Sequence, residues 1–158
     1  MLRKTIKYFV MDVDGTLTDG KIYMGHNGEI FKAFNVKDGY GIRNILIPSG
    51  IVPIIITGRN SDILKKRCEE LGISRLYQGI LNKQEVLLDI VSEELLNTVA
   101  YIGDDMNDFA CMNLIKNAGG SVACPADAVK KIIEISDFVC EKRGGDGVIR
   151  EYIEWLME

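Results

Sequence analysis

The 158-residue sequence lacks the excess of basic residues that general nucleic-acid-binding proteins carry. Its 19 lysines and arginines are outnumbered by 23 aspartates and glutamates, which gives a formal net charge of −4 at pH 7. Binding to a phosphate backbone requires a basic face, so nucleic acid is excluded as a general partner. A small anionic substrate is compatible with this balance, because a few converging cations can make one site locally positive.

Long apolar segments are also missing. The longest apolar run, Ile51–Ile56, has about a third of the residues that a membrane-spanning helix needs. The apolar stretch before Asp12 contains Lys7 and is too short for a signal peptide or an anchor. We therefore expect a cytoplasmic protein with no membrane partner.

Paired cysteines and prolines are scarce. The four cysteines are widely spaced with no Cys-x-x-Cys pair, which predicts buried, reduced thiols: Cys68, Cys111, Cys124 and Cys140. Only three prolines stand against 16 glycines, a ratio that indicates many tight turns and no disordered tail.

Short apolar segments alternate along the chain with segments of helical period. Alternation of this kind predicts an α/β fold with a doubly wound, Rossmann-like parallel sheet and helices on both faces. The length is that of one domain, so we expect residues 1–158 to form a single unit. The predicted strands are Ile6–Met11, Ile51–Ile56, Arg75–Tyr77, Thr98–Ile102, Gly119–Ala123 and Asp137–Cys140.

One segment interrupts this alternation. Two β-like pieces, Lys21–Met24 and Glu29–Phe34, surround the sequence Gly-His-Asn-Gly, which is typical of a hairpin turn. A hairpin inserted directly after the first strand should stand above the carboxyl end of that strand. Ligands of open α/β sheets bind at that end.

Polar residues that can carry chemistry follow four of the predicted strands. Each alone has a structural explanation; a single aspartate after a strand, for example, is typically a helix cap. Together they should meet in one crevice, where several carboxylates would repel one another unless a cation neutralised them. Mg²⁺ prefers such oxygen-rich sites. The residues are Asp12 and Asp14, Thr57 and Gly58, Lys83, and the group Asp104, Asp105 and Asp108.

The pattern Asp12-Val13-Asp14-Gly15-Thr16, followed by Thr57, Lys83 and Asp104 in this order, resembles the haloacid dehalogenase superfamily of aspartate-nucleophile phosphatases. The resemblance implies that Asp12 is the nucleophile and Asp14 the acid–base residue. It implies that Thr57 and Lys83 bind phosphoryl oxygens, and that Asp12, the Asp14 backbone carbonyl and Asp104 hold Mg²⁺. Asp105 and Asp108 are expected in supporting positions.

The two positions where relatives insert a cap domain hold only the hairpin and a compact stretch between Thr57 and Lys83. The chain therefore resembles the capless branch, which implies a homotetramer with active sites at subunit interfaces. The resemblance also implies a phosphorylated 2-keto-3-deoxy sugar acid as substrate. Some relatives that act on nine-carbon, sialic-acid-like 9-phosphates carry an acidic residue at the position of Arg59 and a basic residue near that of Glu70. The opposite charges of Arg59 and Glu70 here favour an eight-carbon acid, with the nine-carbon 9-phosphate as the alternative.

A sugar acid brings a carboxylate besides its phosphate, so its site needs additional cations. The candidates are Arg59, Arg67, Lys142 and Arg143, with Gly58 beside the phosphate. The glycines that follow Lys142 and Arg143 predict a mobile tail, and the resemblance implies that this tail enters an active site.

Two further alternatives come from other functional classes. A signalling receiver domain also accepts phosphate on an aspartate beside Mg²⁺, but on a later strand than the first. A non-catalytic module on the same fold is the other, because fold alone does not determine function.

Overall fold

The computed structural model describes residues 5–158, and its centre is a parallel sheet of six strands. The strand order is β5-β4-β1-β6-β7-β8, so the chain starts in the middle, winds outward to β5 and then crosses to β6. This is the Rossmann order. The strands are β1 (Tyr8–Met11), β4 (Val52–Ile56), β5 (Arg75–Tyr77), β6 (Val99–Ile102), β7 (Ser121–Cys124) and β8 (Phe138–Val139). The predicted doubly wound fold is confirmed, with strands somewhat shorter than expected.

The helices lie on both faces of this sheet. Helix α1 (Val36–Tyr40) continues as wider π-type turns over Gly41–Leu46. The others are α2 (Asp62–Leu71), α3 (Lys83–Ile90), α4 (Met106–Asn117), α5 (Lys130–Ile135) and α6 (Val148–Met157), with a 3₁₀ segment at Glu93–Thr98. Local signals define several ends. The Ser61 side chain caps α2, Asn82 caps α3, and Gly72 ends α2 in the left-handed conformation.

Two apolar cores separate the helices from the sheet. Successive side chains of a strand point to opposite faces, so Phe9 and Met11 pack on one side with α6, and Val10 packs on the other with α3 and α4. Tyr152 of α6 is fully buried, and its hydroxyl bonds the Ser121 hydroxyl at 2.9 Å. Both faces of the central strands are covered, which explains their continuous apolar sequences.

The predicted hairpin is also present. Strands β2 (Tyr23–Gly25) and β3 (Gly28–Phe31) pair antiparallel outside the main sheet, and the Tyr23 and Phe31 rings stack at 4.3 Å. Between Thr57 and Lys83 the chain forms α2 and β5, without a cap domain. All four cysteines are buried and unpaired, as predicted. Within residues 5–158, the helices are too short and too polar to cross a bilayer.

A buried carboxylate joins α1 to α6. Asp38 accepts the backbone N–H of Arg150 at 2.9 Å, at the amino end of α6, and its side chain is almost fully buried. Its second oxygen has no hydrogen-bond partner among the described residues. Burial outweighs the backbone hydrogen bonds and raises the pKa of Asp38 to about 6.

Replacement of Asp38 by Asn should change how stability depends on pH. The folded-state pKa lies above the ordinary value of 3.8, so wild-type stability falls as pH rises through about 6. The Asn variant has no such loss, and between pH 4.5 and 7.5 its free energy of unfolding should gain about 2 kcal/mol relative to wild type. Urea unfolding across this range measures the difference. Parallel profiles would contradict it, and Asp89→Asn, at an exposed position, is the control.

Candidate active site

The site lies at the carboxyl ends of β1 and β6, where the winding direction of the sheet reverses. Asp12 directly follows β1, and its backbone N–H bonds the Ile102 carbonyl at 3.1 Å. Asp104 follows β6 after one residue, Gly103. Ligands of doubly wound sheets bind at this switch point.

Three carboxylates surround one lysine here. Asp12, Asp104 and Asp108 each place an oxygen within 4.8 Å of the others. Lys83, the first residue of α3, bonds Asp12 at 2.6 Å and Asp108 at 2.8 Å through its Nζ. Burial by itself favours the neutral amine, but the charges of Asp108 and Asp12 outweigh it and raise the pKa of Lys83. One ammonium balances one of three carboxylates, which leaves two negative charges when all are ionised.

Asp108 is fixed from all sides. Its Oδ1 accepts hydrogen bonds from Lys83 and from the Tyr101 hydroxyl, the latter at 2.7 Å. Its Oδ2 accepts the backbone N–H groups of Asp104 at 3.0 Å and Asp105 at 3.4 Å. The exposed Asp105 forms a reciprocal capping box with Asp108 at the start of α4. Asp108 therefore orients both Lys83 and the loop that carries Asp104, as its supporting position suggested.

Tyr101 was not recognised in the sequence as part of the site. Its ring is fully buried in β6, as core tyrosines commonly are. A signal was available, because a tyrosine in an otherwise apolar buried strand needs a partner for its hydroxyl.

The turn after the paired aspartates requires a glycine. Gly15 has a φ of 95°, and a Cβ at this position would lie 2.0 Å from Asp104 Oδ2. The next residue, Thr16, donates its hydroxyl to Asp104 Oδ1 at 3.0 Å. The Asp-x-Asp-Gly-Thr sequence thus brings the β1 loop into direct contact with the β6 loop.

The carboxylates suit a divalent cation. Burial and the charge of Asp12 raise the pKa of Asp104 to about 9, and burial and the charge of Asp108 raise that of Asp12 to about 6. Both shifts reflect burial first and, second, negative charge that Lys83 alone does not neutralise. The donors are all oxygens, which Mg²⁺ prefers, and a charge of +2 matches the excess.

Asp14 lies beside this cluster and has a different partner. Its Oδ1 accepts a hydrogen bond from Lys32 at 2.7 Å, and Lys32 also pairs with Glu29 at 2.8 Å. Glu29 and Lys32 both belong to the hairpin: Glu29 lies within β3, and Lys32 directly follows it. Sequence reasoning placed the hairpin above the end of β1 but missed these two residues. A charged pair on the return strand was the available signal.

The second predicted motif ends β4. Thr57 is buried, and its backbone N–H bonds the Tyr77 carbonyl at 2.9 Å, while Gly58 and Arg59 are exposed. The positive charge of Arg59 helps to lower the pKa of the Glu29 carboxyl group. Burial favours protonated Glu29, but hydrogen bonds from Lys32 and Ser61 and the charges of Lys32 and Arg59 outweigh it and lower its pKa.

Of the other candidate substrate cations, two form ion pairs away from the carboxylate cluster and the third is exposed. Arg67 pairs with Glu70 at 3.1 Å, and its guanidinium lies 5.7 Å from the centre of the Phe34 ring. Arg143 pairs with Asp127 at 3.5 Å. Lys142 is exposed beside the amino end of α6.

The glycines after Arg143, predicted to form a mobile tail, lie in a loop between β8 and α6 that packs on the loop after β1. The N–H of Gly145 bonds the Thr16 carbonyl at 3.0 Å, and a Cβ at Gly144 would lie 2.0 Å from the Gly15 carbonyl oxygen. Glycine is therefore needed here for close backbone approach. The mobility of this segment stays a prediction.

Comparisons with known proteins agree with this geometry, although no protein-family model matches the sequence. The 3-deoxy-D-manno-octulosonate 8-phosphate phosphatase of Escherichia coli K12 is 45% identical over 156 residues, which span 98% of this chain and 80% of that protein. The same enzyme from Moraxella catarrhalis, solved with magnesium, phosphate and KDO, matches with a TM-score of 0.88 at 39% identity. The match covers 98% of this chain and 87% of that one. A putative HAD superfamily hydrolase from Legionella pneumophila matches with a TM-score of 0.87 at 32% identity, covering 98% and 83% of the two chains.

Lys83 and the carboxylates of Asp12, Asp104 and Asp108 form a group that we call the Lys83 cluster. This cluster defines a phosphatase of the haloacid dehalogenase superfamily without a cap domain, together with the Rossmann-ordered sheet and the paired aspartates after β1. Within that superfamily, the chain belongs to the 3-deoxy-D-manno-octulosonate 8-phosphate phosphatase family.

Binding of Mg²⁺ should release protons in a way that depends on pH. Burial and the charge of Asp12 raise the pKa of Asp104 to about 9, so we expect the Asp12–Asp104 pair to share a proton at neutral pH that the metal must displace. At pH 7.5 we expect about one proton to be released for each Mg²⁺ bound, falling towards none above pH 10. Calorimetric titration in two buffers of different ionisation enthalpy counts these protons. Identical heats in both buffers at pH 7.5 would refute the expectation.

Proposed function

We propose that the protein is a Mg²⁺-dependent phosphatase that hydrolyses 3-deoxy-D-manno-octulosonate 8-phosphate to the free sugar acid and phosphate. The observation that carries the proposal is the Lys83 cluster: a buried carboxylate at the end of β1, paired at 2.6 Å with an equally buried ammonium. The Escherichia coli and Moraxella catarrhalis relatives are phosphatases named for this 8-phosphate of an eight-carbon 2-keto acid. The free sugar acid is a precursor of lipopolysaccharide.

Asp12 is the nucleophile of the proposed reaction. One of its carboxylate oxygens forms a bond to phosphorus while the bond from phosphorus to the sugar oxygen breaks. Asp14 donates a proton to that departing oxygen. Asp14 then takes a proton from water, whose oxygen attacks phosphorus and returns Asp12 to the free carboxylate. Two moderate displacements thereby replace one difficult hydrolysis.

Electrostatics limit this reaction, because a carboxylate and a phosphate dianion repel each other. Lys83 offsets part of the repulsion from its position against Asp12. Mg²⁺, held by the carboxylates of Asp12 and Asp104 and the backbone carbonyl of Asp14, supplies the remaining positive charge. Asp108 holds Lys83 in place and does not contact the phosphate.

The phosphoryl oxygens are bound by Thr57 and Gly58 at the end of β4. Arg59 is exposed at the edge of the same loop, where it can grip a carboxylate with two parallel hydrogen bonds. Arg67, Lys142 and Arg143 remain candidates for recognition of the sugar acid in the assembled protein. The four buried, unpaired cysteines support a reducing, cytoplasmic location.

We infer that the protein assembles into a homotetramer whose subunits cover one another's active sites. The hairpin carries large exposed apolar side chains on Ile22, Met24, Ile30 and Phe31, and α1 adds Val36 and Tyr40. Exposed apolar side chains in this number are typical of an interface. Its position beside Asp14 puts the partner subunit next to the site.

Steady-state assays on sugar acid phosphates test the reaction. The wild-type protein with Mg²⁺ should prefer 3-deoxy-D-manno-octulosonate 8-phosphate to a nine-carbon 9-phosphate, and excess EDTA should abolish turnover. Asp12→Asn should lower kcat by at least about 10⁴-fold, because an amide does not form the covalent intermediate. Lys83 keeps its pair with Asp108 in this variant, so circular dichroism and thermal unfolding should show an intact fold.

Four outcomes would contradict the proposal. Preference for the nine-carbon ester would overturn the substrate. Full activity in EDTA would remove the metal from the reaction. Near-normal turnover by Asp12→Asn would refute the nucleophile. A protein that holds phosphate after one event and hydrolyses neither ester would instead be a receiver domain.

Sedimentation equilibrium tests the assembly. The wild-type protein should sediment as a tetramer, and Ile30→Asp should dissociate it and lower activity by about tenfold or more, because the site loses its cover. Leu88→Asp, an equivalent change on the exposed face of α3, is the control and should do neither. A fully active wild-type monomer would refute shared sites.

A further inference from the structure

The hairpin places the cation of Lys32 against Asp14, two residues after the proposed nucleophile Asp12. Lys32 Nζ lies 2.7 Å from Asp14 Oδ1 and 2.8 Å from Glu29 Oε1, and its side chain is 5% exposed. A lysine so far removed from solvent is energetically costly unless its charge is paired. Here two carboxylates pair with it, and one of them is Asp14, the proposed acid–base residue.

The second carboxylate is itself anchored to the body of the protein. Glu29 Oε2 accepts a hydrogen bond from the Ser61 hydroxyl at 2.6 Å. Ser61 caps α2 by accepting the N–H of Leu64, and its own N–H bonds Gln78 at 2.8 Å. A continuous series of bonds thus runs from α2 through Glu29 and Lys32 to Asp14.

This series restricts the orientation of the Asp14 carboxyl group. A carboxylate after a strand can rotate about two side-chain torsions, but the bond from Lys32 holds its Oδ1 towards the hairpin. Proton exchange with substrate and water then falls to Oδ2. General acid catalysis depends on such positioning, because the proton must lie within hydrogen-bonding reach of the departing oxygen.

We propose that Lys32 is a positioning residue for Asp14, which it orients through the hairpin so that Oδ2 meets the leaving oxygen in the first step and water in the second. The proposal rests on the function proposed above. Lys32 touches neither the phosphoryl group nor the sugar. Its charge is already paired with two carboxylates, which separates it from a cation reserved for the substrate carboxylate.

Dependence on the leaving group distinguishes this role from a structural one. A sugar alkoxide is a poor leaving group and needs the proton from Asp14, whereas 4-nitrophenolate leaves as a stable anion. The value of kcat/KM covers only the steps up to the aspartyl-phosphate, so it isolates the acid function of Asp14 from its later function as a base.

Lys32→Met should therefore lower kcat/KM for 3-deoxy-D-manno-octulosonate 8-phosphate by about 10²-fold, near the lower end of general acid contributions. It should leave kcat/KM for 4-nitrophenyl phosphate within about twofold of wild type. Lys32→Arg, which keeps the charge and the reach, should restore part of the loss. Lys65→Met, the same change at an exposed position of α2, is the matched control.

Several outcomes would overturn the proposal. Equal losses with both esters would show that Lys32 only supports the hairpin. A rise in KM for the sugar acid phosphate with unchanged kcat would make it a substrate ligand. Activity equal to wild type with both esters would leave it without a role in Asp14 positioning.

A second variant keeps the test valid if Lys32→Met does not fold. Glu29→Gln retains a side chain of the same size but loosens the second anchor of Lys32, and it should show the same leaving-group difference in smaller measure. Equal effects on the two esters would again refute positioning. A wild-type protein inactive on both esters would instead refute the proposed function, so the two failures are distinguishable.

Discussion

Like-charge repulsion at the carboxyl edge of the sheet is the constraint on which the site depends. Parallel strands bring Asp12 and Asp104 to the same edge, and α4 adds Asp108, so that three carboxylates meet within 4.8 Å. At an effective dielectric constant of about 20, each such pair repels by roughly 3 kcal/mol. Lys83 offsets part of this, and a divalent cation offsets the rest. The charge that makes the apo site unfavourable is the charge that gives it affinity for metal and, through the metal, for phosphate.

Much of the surrounding structure serves to maintain that arrangement. Tyr101 and two backbone N–H groups satisfy Asp108 completely, so Lys83 has one defined position. Gly15 allows the loop after β1 to contact Asp104, and the Thr16 hydroxyl of that loop donates a hydrogen bond to Asp104. Preorganised charges of this kind stabilise a transition state without rearrangement during the reaction.

The sequence was sufficient to predict the sheet, the hairpin and the residues at the strand ends, because these follow from local patterns. Apolar strands are continuous; Asp12 and Thr57 lie directly beyond two of them, and Asp104 lies one residue beyond a third. The partners Lys32 and Tyr101 could not be derived in the same way. Whether Lys32 reaches Asp14 depends on how the hairpin folds back, including an irregularity in its register between Tyr23 and Met24. The close packing of the glycine loop after Arg143 could not be predicted, because flexibility and close packing both require glycine and the contact depends on the distant backbone at Gly15.

That packing has a consequence for how the protein matures. The loop after β1 directly follows that strand, but its backbone is held by Gly144 and Gly145, which lie more than a hundred residues later in the chain. During synthesis the paired aspartates leave the ribosome before the segment that holds their loop. A nascent chain that contains β1, β4 and β5 therefore still lacks the contacts that fix the Asp12–Asp14 loop. Those contacts are complete only when the segment leading into α6 has been made.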